Sequence, residues 1–185
     1  MRPRRIAIAG PQFGEASVVM RWLALRYGAV PSQRVVGLGD VILSVSGAEA
    51  GHEVLVSGTR GAIRDRAAVL SELFTSVDAV LLVFTRIAKL AHLNLPELQA
   101  LRPFLLRSAI EPLSVANDAH CDNADFPTIP VAQIMGDLAM PLHTVTVGPF
   151  VDPLVRADGI AEAWDAVVAR AVAQLSSAEP GPRGA

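Results

Sequence analysis

Apolar residues recur along this chain with two different spacings, which distinguish strands from helices. Short continuous apolar runs such as Asp78–Phe84 (DAVLLVF) are typical of strands covered on both faces. Longer stretches carry apolar residues three or four positions apart, as at Ile63, Ala67 and Leu70, and these predict helices. The pattern therefore indicates alternating strands and helices.

The pattern predicts six strands and five helices in the order β-α-β-β-α-β-α-β-α-β-α. The predicted strands are Arg5–Ala9, Val41–Ser46, His52–Ser57, Asp78–Phe84, Pro112–Asn117 and Leu142–Val147. The predicted helices carry Val18 to Leu23, Ile63 to Phe74, Leu95 to Leu105, Val131 to Leu138 and Ile160 to Leu175. Residues 28–39, which include Pro31 and three glycines, are expected to be a loop.

This order favours an α/β domain with a mostly parallel sheet between two layers of helices. The connection GAEAG between the second and third strands indicates a hairpin, which should make one edge strand antiparallel. We expect residues 1–176 to form one domain and residues 177–185 to form a disordered tail. Ligands of such sheets bind outside the carboxyl ends of the strands.

Composition narrows the classes of function. The chain is 51% hydrophobic with a mean hydropathy of +0.40, so either its core is unusually apolar or some apolar surface is reserved for a partner. The net charge of -2 gives no reason to expect a nucleic-acid partner, and we expect Arg2, Arg4 and Arg5 to be a solvated terminus. A single cysteine, Cys121, suits a reducing, cytoplasmic compartment. No segment approaches the about 18 apolar residues that span a membrane.

The residues after the first strand, IAGPQFGEAS, have the glycines of a phosphate-binding loop but not its lysine. Such a loop reads G-x-x-x-x-G-K-[ST], and its lysine reaches the terminal phosphates. Counting from Gly10 places Glu15 at the second glycine, Ala16 at the lysine and Ser17 at the hydroxyl. Taking Gly14 as the second glycine places Glu15 at the lysine instead. Neither register supplies the cation.

The missing lysine has a large electrostatic effect. Two unit charges about 4 Å apart interact by roughly 4 kcal/mol at an effective dielectric constant near 20. Repulsion from Glu15 would bring the total loss of nucleotide-binding free energy above about 5 kcal/mol, which lowers the affinity by about four decades. Lys89 is the only lysine in the chain, and neither Arg21 nor Arg60, the alternative cations, sits at the motif position. Tight nucleotide binding is therefore not expected.

Glu15 has two interpretations. A helix N-terminus has free N–H groups and favours an anion, so its carboxylate could occupy the place of a phosphate. Alternatively, Glu15 is an exposed residue of the first helical turn.

The segment His120–Asp122 with Asp125 has the residue types of a metal site, but a lone cysteine without paired ligand spacing predicts no metal there.

Three motifs in order along the chain resemble those of Ras-like small GTPases. They are IAGPQFGEAS, LVSGTRGA (Leu55–Ala62), and VDAVLLVFTR (Val77–Arg86) with LSVAND (Leu113–Asp118). The chain looks closest to the bacterial branch that includes the gliding-polarity and conservon GTPases. The resemblance extends from about Arg5 to Leu175 and implies a P-loop NTPase-like, three-layer fold with a six-stranded sheet.

The departures from the family are as informative as the matches. The glutamine that orients the attacking water in the family is replaced by Ala62, and the aspartate that holds magnesium through water is replaced by Gly58, as in conservon-type members. The base-reading N-K-x-D loop keeps Asn117 but has His120 at the aspartate, and Asp122 could replace it only in a rebuilt loop. The first switch region, between residues 27 and 40, contains no threonine.

The resemblance implies a set of vestigial nucleotide-site positions and no catalytic residue. They are Gly10, Gly14, Glu15, Ala16, Ser17, Gly58, Thr59, Gly61, Ala62, Asn117, His120 and Asp122. Around the second motif, Arg60, Arg64 and Arg66 are either a partner-facing cluster or the solvated side of a helix.

The leading hypothesis is a catalytically inactive pseudo-GTPase without a cofactor, acting as a protein-interaction or regulatory scaffold. The resemblance implies a partner of the roadblock or longin type. The first alternative is a divergent switch or slow GTPase that binds GTP or GDP with Mg²⁺ in a site rebuilt around Arg60 and Asp122. The second is an unrelated doubly wound enzyme that binds another phosphate or a dinucleotide, although no G-x-G-x-x-G follows the first strand.

Overall fold

The alternating strands and helices form a three-layer α/β fold in the computed structural model. The structure describes residues 2–10, 15–59, 64–85, 87, 96, 99–107, 110, 112–117, 130, 132–133, 145–148 and 158–176. The strands are β1 (Arg4–Ala9), β2 (Ser32–Val36), β3 (Asp40–Glu49), β4 (His52–Thr59), β5 (Ala79–Thr85), β6 (Leu113–Asn117) and β7 (Val145–Gly148). The helices are α1 (Glu15–Tyr27), α2 (Arg66–Leu73), α3 (99–107) and α4 (Asp158–Ser176).

The first strand lies in the middle of the sheet. The strand order is β2-β3-β4-β1-β5-β6-β7, and β1 pairs in parallel with both β4 and β5. The predicted hairpin is present, because β3 pairs antiparallel with β4 across the turn at residues 50 and 51. All seven residues of β5 are buried, as expected for an apolar run covered on both faces.

Two predictions about the sheet were wrong. Residues 28–39, predicted to be a loop, contain β2, so the described residues form seven strands rather than six. The antiparallel strand of the hairpin, β3, therefore lies inside the sheet, and β2 forms the edge. No apolar pattern marks β2, because its side chains are mostly exposed. Its pairing follows instead from the turn that joins it to β3, where Gly37 and Gly39 have φ angles of +56° and +96°.

Side chains of successive residues in the central strands point to opposite faces and divide the core into two clusters. Ile6 and Ile8 of β1 pack in the cluster that includes α1 and α4, whereas Ala7 and Ala9 pack in the cluster that includes α2 and α3. Three large aromatic residues on the apolar faces of the helices, Trp22, Trp164 and Phe74, are all buried. Both helical layers are thus held by apolar contact with β1 and its neighbours.

The predicted helices are present where the structure describes them. Residues 132 and 133 of the helix predicted at 131–138 are helical, and the rest of that segment lies outside the described residues. So does the predicted disordered tail, residues 177–185. Within the described ranges, no helix combines the length and the apolar character needed to cross a membrane.

The arginines at the start of the chain are not simply a solvated terminus, as the sequence suggested. Arg4 is buried, and the carboxylate of Asp78 lies 3.7 Å from its Nη1. The same carboxylate accepts hydrogen bonds from Arg2 Nη2 and from the backbone N–H of Arg5, both at 2.8 Å. Since Asp78 directly precedes β5, these contacts fasten the start of β1 to the start of β5.

A second charged cluster, which the sequence did not reveal, joins α1, the β3–β4 hairpin and α4. Glu49 Oε1 accepts hydrogen bonds from Arg26 Nε at 2.8 Å and from Trp164 Nε1 at 3.0 Å, and Arg26 Nη2 donates to Oε2 at 3.1 Å. Burial alone would raise the pKa of Glu49, but the hydrogen bonds from Arg26 and Trp164 outweigh it and lower the pKa. Burial also raises the pKa of the neighbouring Tyr27.

Candidate functional site

The carboxyl ends of four parallel strands bring several of the predicted site residues to one edge of the sheet. Gly10 follows β1, Thr59 ends β4 and Asn117 ends β6. From β1 the chain continues through α1 towards the β2 side of the sheet, whereas from β5 it continues through α3 towards β6 and β7. The connections therefore diverge between β1 and β5, which is where open α/β sheets bind their ligands.

Gly10 allows the chain to leave β1 close to the neighbouring strand. A Cβ atom placed on this residue would lie only 2.6 Å from the carbonyl oxygen of Val83 in β5. A backbone oxygen cannot move aside as a flexible side chain can, so a larger residue would force the two strands apart. The first glycine of the predicted motif thus has a packing role that is independent of any ligand.

The start of α1 presents an apolar residue where a phosphate-binding loop has its lysine. Glu15 is the first residue of α1, as both of its interpretations require. Ala16, at the lysine position in the Gly10 register, is 3% exposed and belongs to the apolar cluster between the sheet, α1 and α4. Ser17, at the hydroxyl position, is half-buried. Position 16 therefore contributes to the core and carries no charge.

Gly58, at the position of the magnesium aspartate, lets α1 approach β4 closely. A Cβ atom on Gly58 would lie 3.0 Å from Met20 Cγ and 3.3 Å from Ile8 Cβ. The next residue, Thr59, is buried and pairs with Ile42 of β3. These two motif residues are therefore embedded in the packing between helix and sheet.

Asp40 is a polar residue of this edge whose role the sequence did not predict. Its carboxylate accepts hydrogen bonds from the backbone N–H groups of Arg64 at 2.7 Å and Asp65 at 2.6 Å. Hydrogen bonds to the ionised form, first from Arg64 and then from Asp65, lower the pKa of Asp40. Because Ile42 pairs with Thr59, Asp40 lies just beyond the carboxyl end of β4.

The turn before Asp40 also packs against the start of α2. The carboxylate of Asp65 caps α2 by accepting a hydrogen bond from the backbone N–H of Ala68 at 3.1 Å. A Cβ atom on Gly37 would lie 2.8 Å from Asp65 Cβ, so the turn and the cap are in close contact. Here the hairpin formed by β2 and β3 meets the start of α2. We call the contacts among Gly37, Asp40, Arg64 and Asp65 the hairpin–α2 contact. An aspartate followed by a helical stretch is a recognisable capping signal, which could have located this helix start.

The arginines proposed to face a partner are described only in part. Arg64 is exposed, and its backbone takes part in the hairpin–α2 contact. Arg66 is half-buried and begins α2. The remaining predicted positions lie outside the described residues: Gly14, Arg60, Gly61, Ala62, His120 and Asp122. The same holds for Cys121 and Asp125 of the rejected metal site.

Sequence comparison adds no relative to this picture. No model of a known protein family matches the chain, and none of the curated proteins compared with it is significantly similar. Function must therefore be inferred from the fold and from the contacts at the carboxyl ends of the strands.

Proposed function

We propose that this chain is a Ras-like pseudo-GTPase, a P-loop-type domain that acts through protein contacts without binding nucleotide tightly. One observation carries the proposal: Ala16, at the position of the phosphate-binding lysine, is an apolar core residue at the start of α1. In a competent loop the lysine reaches the terminal phosphates from this position. An alanine there removes the attraction, which we put at roughly 4 kcal/mol at about 4 Å and a dielectric constant near 20.

The surrounding architecture supports the Ras-like part of the proposal. A central parallel strand leads through the loop that begins at Gly10 into α1, as the resemblance implies. The second motif begins within β4, the second strand of the hairpin, and the fourth predicted strand pairs beside β1. The resemblance also suggests the chemistry of the partner, a small α/β protein of the roadblock or longin type.

A divergent GTP-binding switch is the second candidate, and the position of Arg21 favours it. Arg21 follows Ser17 by four residues, so both side chains lie on the same side of α1. Ser17 and Arg21 line one groove, which gives the site a nearby cation. In this candidate Arg21 replaces the missing lysine.

Thermal unfolding with 1 mM GTP and Mg²⁺ tests the proposal. A dissociation constant of about 1 mM or weaker would stabilise the fold by no more than about 0.4 kcal/mol, so the melting temperature should change by less than about 2 °C. A micromolar site would add about 4 kcal/mol and raise the melting temperature by roughly 8–16 °C. A rise of that size contradicts the proposal. If Arg21→Ala also abolished the rise, the switch with a rebuilt cation would replace it.

A further inference from the structure

A groove between α1 and the outer strands lies beside the candidate site. Its volume is about 360 Å³, and it is lined by Ser17, Arg21, Val30, Pro31, Gln33 and Leu43. Ser17 and Arg21 form the α1 side, Gln33 and Leu43 belong to β2 and β3, and the other two residues belong to the connection between α1 and β2. Since Ser17 lies in the first turn of α1, the groove begins next to the carboxyl end of β1.

Apolar surface continues from this groove along β2. Val30 is 93% exposed and Val35 is 69% exposed. Gln33 pairs with Leu43 and Val35 pairs with Val41, and Leu43 and Val41 pack on the α1 side of the sheet. Because residues two apart in a strand share a face, Val35 extends the surface of the groove. The outer backbone groups of β2 also have no strand partner among the described residues.

The charge inside the groove is unbalanced. Arg21 is exposed, and its side chain makes no ion pair within the part of the chain that the structure describes. The described residues that line the groove include no acidic residue. The nearest charge on β2, Arg34, is already paired with Glu72 of α2. Among the described residues, the groove therefore offers an exposed cation without an ion pair beside the apolar side chains of Val30 and Leu43, which is complementary to a carboxylate between apolar side chains.

We propose that the groove binds an extended segment of a protein partner in which an acidic residue is flanked by apolar residues. The segment lies along β2, its apolar side chains contact Val30, Val35 and Leu43, and its carboxylate pairs with Arg21. An extended chain fits because β2, which pairs on one side only among the described strands, can receive another strand on its outer side. This inference rests on the proposed function, since it specifies the partner of a domain that acts through protein contacts.

A second copy of this chain fits the groove less well than such a partner. The segment that a copy would present from the same edge, residues 30–39 (VPSQRVVGLG), contains no acidic residue. Its pairing would leave Arg21 without a carboxylate in both copies. Charge complementarity therefore selects a different, acidic chain.

Binding of two synthetic peptides tests the proposal. Each is a fluorescein-labelled decapeptide with valine at alternate positions, and the central polar position is glutamate in one and lysine in the other. Fluorescence anisotropy should show that the wild-type protein prefers the glutamate peptide by about fivefold, and that Arg21→Glu prefers the lysine peptide by a similar factor. Arg102→Glu, which changes an exposed arginine of α3, is the matched control and should behave as the wild type.

A second variant separates the apolar contribution from the charge. Val30→Ser, which adds no charge, should weaken binding of the glutamate and lysine peptides alike, and because Val30 is 93% exposed the melting temperature of this variant should match that of the wild type. Failure of both peptides to bind, or an unchanged preference in Arg21→Glu, would overturn the proposal. A dimer in light scattering that Val30→Ser dissociates would assign the surface to a second copy and overturn it too.

The peptide and nucleotide experiments can fail separately. If GTP leaves the melting temperature unchanged and neither peptide binds, the groove is wrongly assigned and the proposed function stands. If GTP raises the melting temperature and the glutamate peptide still binds with the expected preference, the groove is correct and the domain holds nucleotide as well.

Discussion

The two ends of the sheet hold their buried carboxylates in different ways. At the end where the parallel strands begin, arginine side chains pair with Glu49 and Asp78. At the end where these strands finish, the carboxylate of Asp40 is bound by two backbone N–H groups. At one end arginines thus neutralise the acids, and Asp78 also accepts a hydrogen bond from one backbone N–H, whereas at the other end two backbone N–H groups donate to Asp40.

This difference bears on the proposed function. A phosphate at the carboxyl ends of the strands would need cations or free amide donors. The amides of Arg64 and Asp65 are already used by Asp40, and Ala16 is apolar. Arg4 and Arg26, which pair with Asp78 and Glu49, lie at the opposite end of the sheet. Among the described residues, the charges at these two ends fasten the fold, whereas Arg21 in the groove beside α1 is the cation that we propose for a partner's carboxylate.

Replacement of Glu49 by alanine should give the largest loss of stability. The change leaves the indole N–H of Trp164, a fully buried residue, without its acceptor and removes both hydrogen bonds from Arg26. We expect the free energy of unfolding to fall by about 2–3 kcal/mol, because hydrogen bonds to charged groups contribute about 1.5–3 kcal/mol. Urea denaturation measures this change.

The control for this variant is Glu53→Ala, which changes an exposed carboxylate of the neighbouring strand. Its free energy of unfolding should stay within about 0.5 kcal/mol of the wild type. Equal losses of unfolding free energy in Glu49→Ala and Glu53→Ala would show that the charged cluster around Glu49 does not stabilise the end of the sheet where the parallel strands begin.

The contrast between the two ends also shows what the sequence could predict. Strands such as β5 were predicted because an uninterrupted apolar run is sufficient for a strand buried on both faces. The edge strand β2 was missed, because its residues are mostly exposed and only pairing with β3 makes it a strand. Glu49 was missed because its partners Arg26 and Trp164 are 23 and 115 residues away, a distance that no local pattern records.

The second prediction concerns the close approach at the carboxyl end of β1. Gly10→Ala should lower the free energy of unfolding by about 1–2 kcal/mol, since its Cβ would meet a backbone oxygen of Val83. Gly58→Ala should have a smaller effect, because its closest neighbour is the flexible side chain of Met20. Denaturation of the two variants side by side measures the difference. The reverse order would mean that β5 yields more easily than α1.

The candidate site was only partly predictable for a related reason. The sequence placed Gly10, Gly58 and Ser17 near one another, because a strand–loop–helix order fixes where the carboxyl ends lie. It could not show that Gly10 and Gly58 are also required for packing, since that depends on distances between elements. Nor could it reveal Asp40, whose acceptor role depends on main-chain groups that follow β4.

The smallest global effect is expected for Asp40→Asn, because the hairpin–α2 contact holds one edge of the fold rather than its core. An amide has one acceptor oxygen where the carboxylate has two, so one of the two backbone hydrogen bonds is lost. Hydrogen exchange should show lower protection at the amides of Arg64 and Asp65, with little change in β1 and β5. Glu53→Gln, the matched change of an exposed carboxylate, should leave all of these amides as they are.

The pH dependence of hydrogen-exchange protection at the same amides tests the direction of this effect. The pKa of Asp40 is lowered in the folded state, so its contribution is complete above the ordinary aspartate pKa of about 3.9 and is lost as the pH falls through the lower, folded value. Protection factors at Arg64 and Asp65 in the wild type should therefore fall below about pH 4 towards those of Asp40→Asn. Equal protection in the two proteins at neutral pH would show that other contacts hold the start of α2. The backbone hydrogen bonds to Asp40 would then not distinguish the carboxyl ends of the parallel strands from their amino ends, where side chains make the contacts.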